Sequence, residues 1–332
     1  RIPSLSGEGA QDLLPAPSPF RVFGRMRGAD AGLSRRAISA PPGPSDAFSR
    51  FSSSRPAPTS SPSSAPLKQG TRVTRLLVTD LDATIVFDRS VSPADREAMA
   101  RWRAAGNLLA VDTGKSSFAT RDVLAPLGVG FDYGVVFTGA VLIDGGYQVL
   151  SARYLPDGVA RDVATRTVDL PGVTTYATTI ETDYILADNN EEISSILAVF
   201  ERLSLEEMDA HRFIGVPLRV TDDALRERLH HDLTRRWEGA LDCHRNQEFL
   251  DLVPAGATKG AGLRALLDGP LAGQDIEVWT IGDSWNDLDM HAVADHAVAL
   301  PWSPPEVTAA CETTVGSMAE LITTILEGDR HE

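Results

Sequence analysis

The sequence is poor in cysteine and in basic charge, and it has no long apolar run. Its 332 residues include two cysteines, Cys243 and Cys311. That is too few for a disulfide framework. Neither belongs to a CxxC pair, so Cys243-His244 reads as structural rather than as half of a zinc site. Lys and Arg number 31 against 46 Asp and Glu, a net charge of -15. Such a surface repels nucleic-acid phosphates and anionic lipid, which disfavours generic nucleic-acid binding. No stretch approaches the roughly 18 apolar residues that span a bilayer. With 42% hydrophobic residues, the length suits two domains with ample core. A soluble enzyme of a reducing compartment is expected.

The charge is unevenly placed. Residues 1–70 hold nine basic and four acidic residues, a balance of +5 that leaves -20 for the remainder. Between Ser34 and Pro66 the chain is mostly Ser, Pro, Ala and Arg, a composition unable to bury enough apolar surface to offset the entropy of ordering. Residues 1–70 are therefore predicted to be disordered. Arg- and Ser-rich, acid-poor segments resemble organelle transit peptides, and a tail without function fits the composition equally well. The sequence opens on Arg1, and Met26 offers an alternative start. The predicted compartment is cytoplasmic, or plastid or mitochondrial if the segment is a true transit peptide.

From Thr71 strands and helices alternate. RLLVTD (75–80) is a buried parallel strand by its apolar run. Ser92-Pro93 caps and opens a helix that Gly106 ends. A strand at 107–113, a helix at 116–127, a strand at 133–138 and a hairpin at 140–150 around Asp144-Gly145-Gly146 follow. The same rhythm returns with helix 258–268, strand 277–283, helix 285–292, strand 296–300 and a last helix near 317–327. This alternation predicts an α/β fold with a doubly wound parallel sheet. Residues 152–253 differ, with strands TTYATTI, FIGVPLRV and EFLDLV and helices at 190–203 and 222–237. They read as an α+β insertion between the two halves of the core, 71–151 and 254–332.

Four motifs carry chemistry. Asp80-Leu81-Asp82-Ala83-Thr84 follows the first strand, and ligands of open α/β sheets bind beyond the carboxyl ends of strands. IGDSWNDLDM (281–290) places Asp283 and Asp287 at another strand end. Four carboxylates in one crevice repel one another by about 4 kcal/mol per pair at ~4 Å and an effective dielectric of ~20. A hard divalent cation resolves this, and an oxygen-only shell suits Mg²⁺. Thr113-Gly114-Lys115 ends a strand and opens a helix, a place where hydroxyl and free N–H groups receive phosphate. Lys259 in GATKGAGLRALL opposes the dipole of the helix it opens unless an anion lies nearby.

Together these motifs resemble the haloacid dehalogenase superfamily, specifically its Cof-like subgroup with a type IIB cap. The resemblance covers residues 73–332 and implies a Rossmann-like core with an inserted α+β cap at 152–253. It implies Asp80 as nucleophile, forming an aspartyl-phosphate, and Asp82 as general acid and then base. It implies Mg²⁺ held by Asp80, the Asp82 backbone carbonyl, Asp283 and, close by or in support, Asp287. Thr113, Gly114 and Lys259 would receive phosphoryl oxygens, with Asn286 assisting.

Three positions depart from the family pattern. Ala83 stands where Gly is common, so a methyl group crowds the loop if φ there is positive. Lys115 replaces Arg and loses any bidentate contact, and Thr138 replaces Asn. In the insertion, His211-Arg212 and His244-Arg245-Asn246 are within reach of a polar substrate but read more readily as packing or surface residues. His230-His231 reads as half-exposed, and Trp285 suits ring stacking or packing equally. The expected function is an Mg²⁺-dependent phosphatase of small phosphorylated metabolites, sugar phosphates foremost. It is expected to act as a monomer or homodimer without nucleic-acid or membrane partners. A phosphomutase and a non-catalytic phosphometabolite sensor are the alternatives.

Overall fold

In a computed structural model, residues 73–190, 200–246 and 248–328 are described. The segment 1–70 lies outside them, as does most of the helix predicted at 190–203. Along the chain the first part comprises β1 (Thr74–Thr79), α1 (Pro93–Ala104), β2 (Leu108–Asp112), α2 (Ser117–Leu124), β3 (Tyr133–Val136), β4 (Val141–Asp144) and β5 (Val149–Ala152). An insertion follows with α3 (Val159–Thr167), β6 (Val173–Thr178), β7 (Asp183–Asp188), β8 (Glu201–Arg202), β9 (Val216–Val220), α4 (Asp223–Arg236), β10 (Leu241–Asn246) and β11 (Phe249–Pro254). The chain then returns through α5 (Lys259–Asp268), β12 (Ile276–Ile281), α6 (Leu288–His291), β13 (His296–Ala299), α7 (Pro305–Ala310), β14 (Thr313–Thr314) and α8 (Met318–Gly328).

The larger sheet is ordered β14-β13-β12-β1-β2-β3-β4-β5. It is parallel from β14 to β3, and β4 and β5 add antiparallel at the edge. The centre of β1, Leu76–Val78, is apolar and buried because both faces of the sheet are covered there. Leu77 packs with Trp102 of α1 and Ile322 of α8, while Leu76 and Val78 pack with Leu263 and Leu266 of α5. α1 forms as its sequence signals: the Ser92 side chain accepts from the Asp95 N–H at 3.0 Å, Pro93 occupies its first turn, and Gly106 follows at φ +83°.

The inserted residues build the cap around a six-stranded sheet ordered β10-β11-β9-β6-β7-β8, with α3 and Leu233 of α4 buried on it. Ile214 and Val253 of the insertion join the same apolar cluster as Leu81 and Phe137 of the core, so the two layers share packed surface. One expectation is corrected here. Glu201-Arg202, placed at the end of a helix by the sequence reading, pair in parallel with Tyr184 and Ile185 as a short edge strand. α2 also ends at Leu124 rather than 127, its last residues forming the turn into Gly128.

Candidate active site

The carboxyl ends of β1, β2 and β12 converge, and three of the four motifs sit there. Asp80 continues the ladder between β1 and β12, its N–H donating to the Ile281 carbonyl at 3.0 Å. Asp283 and Asp287 follow β12. Lys259, one residue past the Thr258 cap of α5, reaches between them. Its Nζ donates to Asp80 Oδ1 and to Asp287 Oδ1, each at 2.6 Å. The anion that the lysine at this helix start requires is thus a pair of protein carboxylates. Asp287 Oδ2 accepts from the N–H groups of Asp283 at 3.0 Å and Ser284 at 2.9 Å, and the Thr84 hydroxyl donates to Asp283 Oδ1 at 3.0 Å. The loop between β12 and α6 is therefore folded around Asp287.

Burial governs the electrostatics. It pushes the Asp80 carboxyl up to about 7, against the pull of Lys259 and with added repulsion from Asp287 and Asp82. Burial also lifts Asp283 to about 6, helped by Asp287. For Lys259 burial disfavours the charge, but Asp287, Asp80 and Asp112 outweigh it and hold its pKa above the ordinary lysine value. This is a charge-dense site with a fixed ammonium at its centre.

Asp80, Asp283 and Asp287 each present a carboxylate oxygen, all within 4.8 Å of one another. This hard, oxygen-only donor set fits Mg²⁺. Asp287 already has both oxygens hydrogen-bonded within the protein, which suits a supporting place behind Asp80 and Asp283. Asp82 turns outward, and its Oδ2 lies 2.6 Å from Lys115 Nζ. Lys115, a departure from the family pattern, is thus brought into the site through the second motif aspartate. Thr113 is 1% exposed, and its hydroxyl accepts from the Lys115 N–H at 3.2 Å. The helix after this loop begins later than the sequence reading placed it, with Ser116 as its cap. Asn286 is exposed on the turn beside Asp287.

The crowding foreseen at Ala83 is real, since this residue adopts φ +58°. The turn is held nonetheless: the Ala83 N–H donates to the Val86 carbonyl at 3.0 Å. Its carbonyl accepts from the Trp302 indole at 2.8 Å, and Trp302 meets Phe87 edge to face. Thr138 lies in a second left-handed run, Phe137-Thr138-Gly139 with φ +53°, +52° and +81°. Gly139 is required there, because a Cβ would stand 1.9 Å from the Thr258 carbonyl oxygen. That close approach seats the start of α5, and with it Lys259.

Among the cap candidates, His244 Nε2 lies 3.0 Å from the Ala257 carbonyl and Arg245 pairs with Glu227. His230 Nε2 lies 3.1 Å from the Cys243 carbonyl, and Arg212 lies over the Tyr154 ring. All four have structural partners. Trp285 is 61% exposed and packs under no sheet edge.

The sequence reading missed Asp112. It is fully buried at the end of β2, and neither of its oxygens has a hydrogen-bond partner among the described residues. Burial lifts its pKa well above the usual carboxylate range. An acid inside the apolar run NLLAVDT was the available signal.

Residues 77–321 match the family model described as haloacid dehalogenase-like hydrolase. A relative from Bacillus subtilis, 5-amino-6-(5-phospho-D-ribitylamino)uracil phosphatase YwtE, is 23% identical over 257 residues, covering 68% of this chain and 87% of its own. The structure of TM0651 from Thermotoga maritima superposes with a TM-score of 0.65 at 22% identity, covering 76% of this chain and 97% of that one. That of the subclass IIB sugar phosphatase BT4131 superposes with a TM-score of 0.63 at 17% identity, covering 77% and 99%.

Proposed function

This chain belongs to the haloacid dehalogenase-like hydrolase family, and we propose that it is an Mg²⁺-dependent phosphatase of small phosphorylated metabolites, sugar phosphates foremost. The observation that carries this reading is Lys259 held between Asp80 and Asp287 at 2.6 Å each, with Asp283 beside them. This arrangement joins a carboxylate nucleophile to fixed positive charge at a strand end beside the cap. The names of YwtE and BT4131, a phosphatase of a phosphoribityl compound and a sugar phosphatase, support a polyhydroxylated organic part.

In the proposed reaction an Asp80 carboxylate oxygen attacks phosphorus, and the bond from phosphorus to the organic oxygen breaks. Asp82 gives its proton to that oxygen, so the product leaves as an alcohol. Asp82, now a carboxylate, takes a proton from water as the water oxygen attacks the aspartyl-phosphate. Inorganic phosphate departs and Asp80 is regenerated. Lys259 and Thr113, with the Gly114 amide and Asn286, receive phosphoryl oxygens. Phosphoryl transfer asks for such positioning and charge neutralisation more than for covalent chemistry. Asp80, the Asp82 carbonyl and Asp283, supported by Asp287, would hold Mg²⁺, which when bound supplies further neutralisation of the phosphate charge. The exposed carboxyl of Asp82, beside Lys115, supports its assignment to the leaving-group oxygen. The catalytic carboxylates are kept despite Ala83 and Lys115, so the phosphatase is preferred to the sensor.

The test is hydrolysis of p-nitrophenyl phosphate and of a phosphosugar panel by the full chain, with Mg²⁺, with EDTA, and with Asp80→Asn. Turnover that needs Mg²⁺ and disappears in the variant supports the proposal. A folded protein without turnover on either substrate class refutes it.

A further inference from the structure

A buried carboxyl that plays no part in this reaction lies where the cap meets the core. Asp183 opens β7 of the cap sheet and is 9% exposed. Its Oδ2 accepts from the Ser116 hydroxyl at 2.5 Å, while its Oδ1 is buried with no hydrogen-bond partner among the described residues; Thr178, opposite it on β6, also favours its charged form. Ser116 belongs to the core and directly follows Thr113-Gly114-Lys115. The same Ser116 oxygen accepts from the Ala119 N–H at 3.1 Å, so one hydroxyl ends the phosphate loop, caps α2 and donates into the cap. A charge-assisted bond of this kind is stronger than a neutral one, and in a water-poor seam it fixes geometry.

A second, independent contact grips the same loop. The N–H groups of Phe137 and Thr138 donate to the carbonyls of Lys115 at 2.7 Å and Thr113 at 3.1 Å. They can do so because both residues are left-handed, a conformation that costs a bulky residue free energy and persists only where its surroundings enforce it. The Phe137 ring in turn lies on Gly215 of the cap, where a Cβ would come within 2.2 Å of it. The phosphate loop therefore meets the cap through a side-chain hydrogen bond on one side and through a strained aromatic residue on the other.

We propose that Asp183 is a positioning residue: acting from the cap through Ser116, it sets the Thr113–Lys115 loop for the phosphoryl group, so that a seated cap and a formed phosphate site are one event. This rests on the phosphatase reading of that loop. It excludes a bare seam contact, which would leave phosphate affinity alone.

The test compares the full chain with Asp183→Ala, Ser116→Ala, the double variant and Asp183→Asn, whose amide oxygen still accepts from Ser116. Inhibition by inorganic phosphate and the separate kcat and KM for a phosphosugar are measured, with hydrogen exchange over residues 113–120. Loss of one charge-assisted bond should weaken phosphate inhibition and raise KM about tenfold in Asp183→Ala, with a smaller change in kcat. The double variant should be no worse than the poorer single one, Asp183→Asn should recover part of the loss through a neutral bond, and exchange in the loop should quicken in Asp183→Ala. Unchanged phosphate inhibition and exchange in Asp183→Ala, additive losses, or no recovery in Asp183→Asn would each overturn the proposal. If Asp183→Ala does not fold, Ser116→Ala and Asp183→Asn carry the same comparison. An inactive wild type counts against the phosphatase reading, and loop exchange then still decides the coupling.

Discussion

Lys259→Met tests the centre of the site. The substitution keeps much of the side-chain volume and removes the ammonium, which is 1% exposed and lies 2.6 Å from both Asp80 and Asp287. At that distance and an effective dielectric of ~20, each pair gains a gross attraction of about 6 kcal/mol. Taking the ions out of water offsets much of it, by several kcal/mol per ion. Removing one partner leaves the other charges buried and unpaired, at a net cost of about 3–5 kcal/mol. Urea unfolding in EDTA near neutral pH should therefore show that loss of stability, and millimolar Mg²⁺ should restore part of it by giving the carboxylates a new counter-charge. The kcat should fall by about 10²-fold or more, as when a preorganised donor at a developing charge is removed. Wild-type stability in EDTA would refute the charge-balance reasoning. Lost stability with near wild-type kcat would refute the placement of Lys259 beside the reacting phosphoryl group.

Stability should depend on pH in two opposite ways. Folding raises the pKa values of Asp80 and Asp283 to about 7 and about 6, so their contribution is present below pH ~4 and is lost as pH rises through these values. The urea midpoint in EDTA should reflect that decline, and excess Mg²⁺ should flatten it. Asp162 has the reverse sign. Arg236, Arg166 and Trp237 donate to its carboxylate, tying α3 to α4 and holding its pKa below the usual range, so its contribution is lost as pH falls below ~4. Asp162→Asn should cost the protein about 1–2 kcal/mol at neutral pH, with allowance for partial exposure, measured by thermal unfolding. Ala83→Gly should raise the melting temperature, because Ala83 sits at φ +58° at a cost of about 1 kcal/mol, partly offset by the greater freedom of Gly in the unfolded chain. A lower melting temperature would contradict that reasoning.

The legible parts of the molecule were those whose signals are local. Asp80, Asp283 and Lys259 each adjoin the strand or helix that presents them, so an apolar run followed by an acid or a capped helix start located them. The doubly wound core was legible because burial on both faces leaves apolar runs at the centres of β1 and β2. The cap was harder. β10 and β8 lie at the edges of their sheet, where sequences such as LDCHRN bury little and carry weak alternation, and β7 is only half-buried. The Lys115 to Asp82 pair and the bond from Ser116 to Asp183, 67 residues apart, were invisible for another reason. They join segments that only the tertiary fold brings together, and no spacing encodes them.

Trp302 has an optical consequence. Its indole donates to the carbonyl of Ala83, next to Asp82, and its ring meets Phe87, yet it remains 49% exposed. A fluorophore in both water and the Asp82–Ala83 turn changes emission when that turn moves. Of the five tryptophans, Trp102 is sealed in the core at 0% exposure and provides a steady background. The protein thus carries its own reporter of the turn beside Asp82, readable by stopped-flow fluorescence on mixing with phosphate and Mg²⁺. Trp302→Phe should remove this component, while Trp285, 61% exposed next to Asp287, contributes a separate one that Trp285→Phe removes.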